Sequence, residues 1–138
     1  SLREPVQARG RSTAAEATGA ILNAELAGNP RLAYRMFLQL ADDLNGLDPA
    51  TRVAFSVEVP GGPEHRWLDA IASLVEYRLA EVNAPLPLWV VGRVGAPDEP
   101  WEPQRGLHPI PFPVEIAQVP AAVLRRGVHT EENELHSV

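Results

Sequence analysis

Apolar residues recur every three to four positions over two stretches, 29–45 and 64–83, and the rest of the chain is arranged around them. In the first, Leu32, Met36, Phe37, Leu40 and Leu44 make one stripe, while Arg31, Arg35, Gln39, Asp42 and Asp43 fall mainly off it. That spacing predicts an amphipathic helix. Asn29-Pro30 supplies its start, because an Asn side chain accepts from a free backbone N–H and Pro lacks only an N–H that the first helical position does not use. Asn45-Gly46 supplies its stop, since both residues tolerate the left-handed conformation. In the second stretch Leu68, Ile71, Val75, Leu79 and Val82 form the stripe, widened by Trp67 and Leu74, and Pro85 cannot continue it. Burial of Phe37 or Trp67 contributes roughly 1.5–3 kcal/mol each, so these residues are expected to hold the fold.

The flanks carry weaker patterns. Thr13-Ala14-Ala15-Glu16 fits a capping box, and a helix is expected to follow to about Ala27, with Ala17, Ile21 and Ala24 on one narrow face. Gly28 ends it, and Gly19 weakens it by about 1 kcal/mol relative to alanine. Asp48-Pro49 repeats the start signal of the first stretch. Over 55–59 apolar and polar residues alternate, so a short strand or extended segment competes with helix there, and Pro60-Gly61-Gly62-Pro63 is a break. Nine of the fourteen prolines lie between Pro85 and Pro120, which excludes long helices from that part. Leu86 and Leu88 to Val91 are expected to dock an extended chain on the helices, and Ile110-Pro111-Phe112-Pro113 to form an apolar strap. Pro120 to Arg126 can form a short helix with Val123 and Leu124 inward and Gly127 as its stop. Thr130 to Asn133 looks like a capped last turn, with Leu135 and Val138 tucked in.

Together these signals predict an all-α or mainly α protein, a compact set of about four to six helices with a proline-rich C-terminal strap. Residues 1–11 are expected to be a flexible tail and 12–138 a single helical domain, with its core in 12–84 and the strap and short helices in 85–138.

Composition narrows the function classes. A net charge of −6 argues against direct DNA binding by this chain, which needs a basic face, and is compatible with a basic protein partner. The absence of cysteine removes disulfides, thiolate catalysis and cysteine-ligated zinc. No apolar run approaches the ~20 residues of a membrane span and no signal-peptide core is present, so a cytoplasmic location is expected.

Candidate chemistry is sparse. His65, His108, His129 and His136 do not pair at helical ligand spacing, and His129 and His136 with Glu131, Glu132 and Glu134 read better as an acidic end than as a metal site. Asp42-Asp43 point about 100° apart on a helix and are expected on a solvated face. There is no Gly-x-Ser-x-Gly, no phosphate-cradling Gly-Lys-Ser/Thr loop and no dinucleotide fingerprint, and no cofactor is implied. The densest basic group, Arg125-Arg126, is expected to be exposed and could meet an acidic partner.

Five segments carry a resemblance: Asn29-Pro30-Arg31-Leu32-Ala33 leading to Leu47-Asp48-Pro49-Ala50; Arg66-Trp67-Leu68-Asp69-Ala70 leading to Val75-Glu76-Tyr77; Leu86-Pro87-Leu88-Trp89; Pro100-Trp101; and the run from Val119 to Val128. In that order the chain resembles an actinobacterial domain that follows a helix-turn-helix module in regulators and in antitoxin partners of nucleotidyltransferase-type toxins. The resemblance implies a regulatory role and supplies no catalytic residue. The reading that follows is a non-enzymatic protein-interaction domain, with Trp101, Arg125 and Arg126 as the expected contact surface. It allows a homo-oligomer. The alternative is a small ligand-binding domain or enzyme, with a pocket between the helices and the strap at Tyr34, Trp89 and His108.

Overall fold

Two helices carry the core, as the apolar periodicity predicts. The computed structural model describes residues 10–106 and 113–136. Among these the order is α1 (Ala14–Leu26), α2 (Pro30–Asn45), α3 (Pro49–Ala54), α4 (Arg66–Ala80), α5 (Leu88–Val91) and α6 (Ala121–Leu124). Three 3₁₀ turns join them, at Pro103–Gly106, Ile116–Gln118 and Glu132–His136. The protein is mainly helical, and its β content among the described residues is one parallel bridge between Trp101 and Val128.

The starts follow the cap signals. Glu16 N–H donates to Thr13 Oγ1 at 3.1 Å and Thr13 N–H to Glu16 Oε1 at 2.9 Å, which completes the capping box of α1. Asn29 Oδ1 accepts from Leu32 N–H at 3.2 Å, and Pro30 opens α2. Gly28, at φ +79, lets Asn29 N–H return to the Ala24 carbonyl and closes α1. Asn83, at φ +54, does the same for α4, where Ala84 N–H reaches the Leu79 carbonyl.

Ala14, Ala17, Ile21 and Ala24 let α1 lie close along α2, and both pack on α4. Trp67 is fully buried at the centre, 5.5 Å from Phe37 and edge-on to Trp101 at 5.0 Å between ring centroids. The apolar core runs from Ala14 to Leu135, so the proline-rich part shares it through Val90, Val119, Val123 and Val128.

Four expectations are corrected. Gly46 closes α2 in the right-handed region, at φ −83, and not in the left-handed one. Residues 55–59 form no strand; Ser56 is buried and Val57 and Val59 are exposed. The 88–91 run is a helical turn, set between Pro87 and Gly92, and only Val90 of it is fully buried. Asp43 does not face solvent: it is buried and accepts from Gln39 Nε2 at 3.0 Å and Ser12 N–H at 3.3 Å. Within the expected N-terminal tail, Arg11 donates to the Gly46 carbonyl at 3.4 Å. His108, the 110–112 part of the expected strap and Val138 lie outside the described residues.

Candidate functional site

The first turn of α4 meets the 92–96 segment across an open cleft of about 490 Å³, lined by residues 64–66, Asp69 and residues 92–96. Asp69 lies one turn into α4 and is almost wholly buried. An isolated carboxylate there would be costly, and two arginines answer it. Arg66 Nε donates to Oδ2 at 2.7 Å and Arg93 Nε to Oδ1 at 2.6 Å. The terminal nitrogens of Arg66 reach the carbonyls of Glu99 and Arg126 at 2.5 and 3.2 Å. Those of Arg93 hold the Glu64 carboxylate, which keeps the Glu64 carboxyl below its ordinary value. Every nitrogen of both guanidinium groups is therefore engaged inside the protein.

His65 caps α4. Its Nδ1 accepts from Trp67 N–H at 3.0 Å, which leaves any ring proton on Nε2 when the imidazole is neutral. Burial pushes its pKa down; Glu25 opposes this and Arg105 adds to it.

A second polar group surrounds Trp101. The Trp101 ring is half-buried, edge-on to Trp67 and His65, with the Arg105 guanidinium 4.6 Å from its centroid. Arg105 pairs with Glu25, which also accepts the Trp67 indole N–H at 2.7 Å. Burial alone would raise the Glu25 carboxyl, and the hydrogen bonds from Trp67 and Arg105 outweigh it and hold the carboxyl low.

The expected surface arginines are not equivalent. Arg126 is 1 % exposed, which corrects the expectation of an exposed pair. Its guanidinium spans the carbonyls of Arg93, Ala122 and Val90 at 2.7–2.9 Å and Glu76 Oε1 at 2.9 Å. Arg125 is exposed and shares the same Glu76 carboxylate. Beside the pair, Gly95 and Gly127 are both at positive φ, and their neighbours are joined by Ala96 N–H donating to the Arg126 carbonyl at 3.1 Å.

Of the three expected members of the alternative pocket, Tyr34 and Trp89 lie among the described residues. Tyr34 is buried, and its hydroxyl donates to Glu134 Oε1 at 2.9 Å. Trp89 is half-buried, donates its indole N–H to the Ser56 carbonyl at 2.9 Å, and lines a shallow pocket of about 110 Å³ with Val59, Pro60, Leu68 and Arg93. Tyr34 is not part of that wall.

Sequence reasoning missed the buried arginines of the helix core. Arg78 is 0 % exposed; it donates to the Ala41 carbonyl at 3.0 Å, to the Leu135 carbonyl, and to both Glu81 oxygens. Arg52 reaches the carbonyls of Arg78, Asn45 and Leu47 and also Glu81. A signal was present: Arg78 stands three residues after Val75 and seven after Ile71, on the apolar face of α4. A charge at such a position implies an internal partner.

Among the described residues no group of three or more His, Asp or Glu is placed to hold a metal ion, and no helix is long and apolar enough to cross a membrane. In comparisons with known protein families, curated proteins and solved structures, nothing matches this chain.

Proposed function

We propose that the chain is a non-enzymatic regulatory domain that works by binding another protein. The observation that carries this reading is the distribution of exposed apolar side chains. Among the described residues seven large hydrophobics are exposed, and five of them belong to two neighbouring segments: Val57 (58 %), Val59 (66 %), Leu88 (88 %), Val91 (62 %) and Val94 (74 %). The Trp89–Ser56 hydrogen bond ties these segments together, and Val59 shares a pocket wall with Trp89. Scattered apolar residues on a surface need no explanation, whereas a gathered set marks a contact face. The face replaces Arg126 in the expected contact surface. An antitoxin-like role, with a toxin-like enzyme as partner, is the form of regulation that the sequence resemblance implies.

The ligand-binding alternative has one observation in its favour, the 490 Å³ cleft at the start of α4, which falls in the size range of small-molecule sites. Its arginines and carboxylates already satisfy one another, so a ligand there would have to displace ion pairs.

The test is affinity capture with the intact chain and with Leu88→Ser/Val91→Ser, two exposed positions whose change leaves the core untouched. The expected result is one stoichiometric protein retained by the intact chain and lost by the variant, at unchanged melting temperature. A folded bait that retains nothing, or equal retention by both chains, overturns the reading.

A further inference from the structure

We propose that the segment of the partner that docks on this face is cationic and amphipathic. The inference rests on the protein-binding reading above and adds the chemistry of the occupant.

The floor of the face is apolar. Val59, Pro60, Leu68 and Trp89 wall the shallow pocket, and Arg93 joins that pocket to the larger cleft, where Val94 stands exposed. Leu88 and Val91, three residues apart on α5, project beside it and can take one apolar stripe of a partner.

The rim is acidic. Arg66 and Arg93 are the cations lining the cleft, and Asp69 and Glu64 balance them. His65 is biased toward its neutral form by burial. Glu58 lies between Val57 and Val59, and Asp98 and Glu99 follow the cleft wall at Ala96, with the Glu99 carbonyl bound to Arg66. The carboxylates of Glu58, Asp98 and Glu99 are exposed and make no ion pair among the described residues. Three exposed carboxylates without an ion pair among the described residues thus adjoin the apolar segments along the chain, whose net charge is −6.

That charge selects the occupant. A second copy of the chain would set the same carboxylates against each other, and nucleic acid or an anionic membrane would be repelled. A polypeptide segment with Lys or Arg beside Leu- or Val-sized side chains meets both features at once, and its charges would also speed encounter.

The test is a heteronuclear NMR titration of the intact chain with two synthetic helical peptides of equal length and spacing, one of Lys and Leu, the other of Glu and Leu. The expected result is that the Lys/Leu peptide shifts the signals of 57–60, 88–95 and 98–99, and that the Glu/Leu peptide binds at least about tenfold more weakly. Leu88→Ser/Val91→Ser, and separately Glu58→Gln/Asp98→Asn/Glu99→Gln, each weaken the Lys/Leu peptide by about tenfold or more. Equal binding of both peptides at the face overturns the charge inference and leaves the docking face standing. Binding of the Lys/Leu peptide elsewhere, with the face silent to both, overturns the two together.

Discussion

Arg125 and Arg126 are neighbours that hydrogen-bond the same Glu76 oxygen, yet different energetics govern them. Arg125 is solvated, so its pair gains little over water and costs side-chain entropy. Arg126 is buried, and removing it takes the side-chain donor from the carbonyls of Arg93 and Ala122 and one of two donors from Val90 and Glu76. Arg126→Ala is expected to cost roughly 3–5 kcal/mol of stability, and Arg125→Ala less than about 1 kcal/mol. Urea denaturation of the two variants measures both; equal losses would show that Arg126 is not a strut. Gly127 lies one residue on, at φ +81, where a Cβ would overlap the Ala96 carbonyl oxygen. Gly127→Ala is expected to lose about 2–4 kcal/mol, from left-handed strain together with that overlap. Gly19→Ala, at an open site in α1, is expected to gain about 1 kcal/mol in the same assay.

At the scale of the element, α4 shows what a pattern of apolar positions contains and what it omits. Ile71, Leu74, Val75 and Leu79 are all fully buried, and the periodicity places them without any structure. The capping box of α1 and the Asn29-Pro30 start of α2 were equally legible, because a cap is written in three or four adjacent residues. Arg78 was signalled by its place on the apolar face of α4, but the distant partners of Asp69 and Arg78 were not legible. These are Arg93 and the carbonyls of Ala41 and Leu135, which only the tertiary fold brings near. The candidate site suffered most from this, since Arg126 reads as surface until the carbonyls around it are known. His65 carried no ligand-spacing signal in the sequence, and it is the cap of α4. Its lowered pKa gives a signed prediction. The unfolded chain protonates His65 as pH falls through about 6.5, while the folded chain resists, so stability falls with pH from that point down to the folded pKa. His65→Asn keeps a cap acceptor and cannot titrate. Its stability is expected to vary less between pH 7 and 5 than that of the wild type. Parallel curves for the two would place the titration elsewhere.

At the scale of the whole molecule, the last described turn is bound to the helical core. The Glu132–His136 turn seats Leu135 in the core, and three side chains from α2 and α4 grip it. Tyr34 donates to Glu134, Tyr77 donates to Glu132 at 2.6 Å and lies 2.8 Å from His136 Nε2, and Arg78 donates to the Leu135 carbonyl. The chain has two tyrosines, and both serve this clasp. Burial raises the pKa of each phenol well above its ordinary value, and the carboxylate it faces raises it further, because an ionised phenol would lose a donor and meet a like charge. A pKa raised by folding contributes stability that is full below about pH 10 and is lost as pH rises beyond it. Phenolate absorbance therefore reads the clasp directly. In the intact chain it is expected to stay flat through pH 10 and to rise only with unfolding. A chain ending at Glu131 loses the burial of Leu135, roughly 1.5–3 kcal/mol, and a partner of the buried Arg78. In that shorter chain the exposed Tyr77 is expected to titrate near its ordinary value while the helices still stand. If the intact chain ionises near pH 10 as readily as the shortened one, the end does not close the fold in solution, and Arg78 must find its second carbonyl elsewhere.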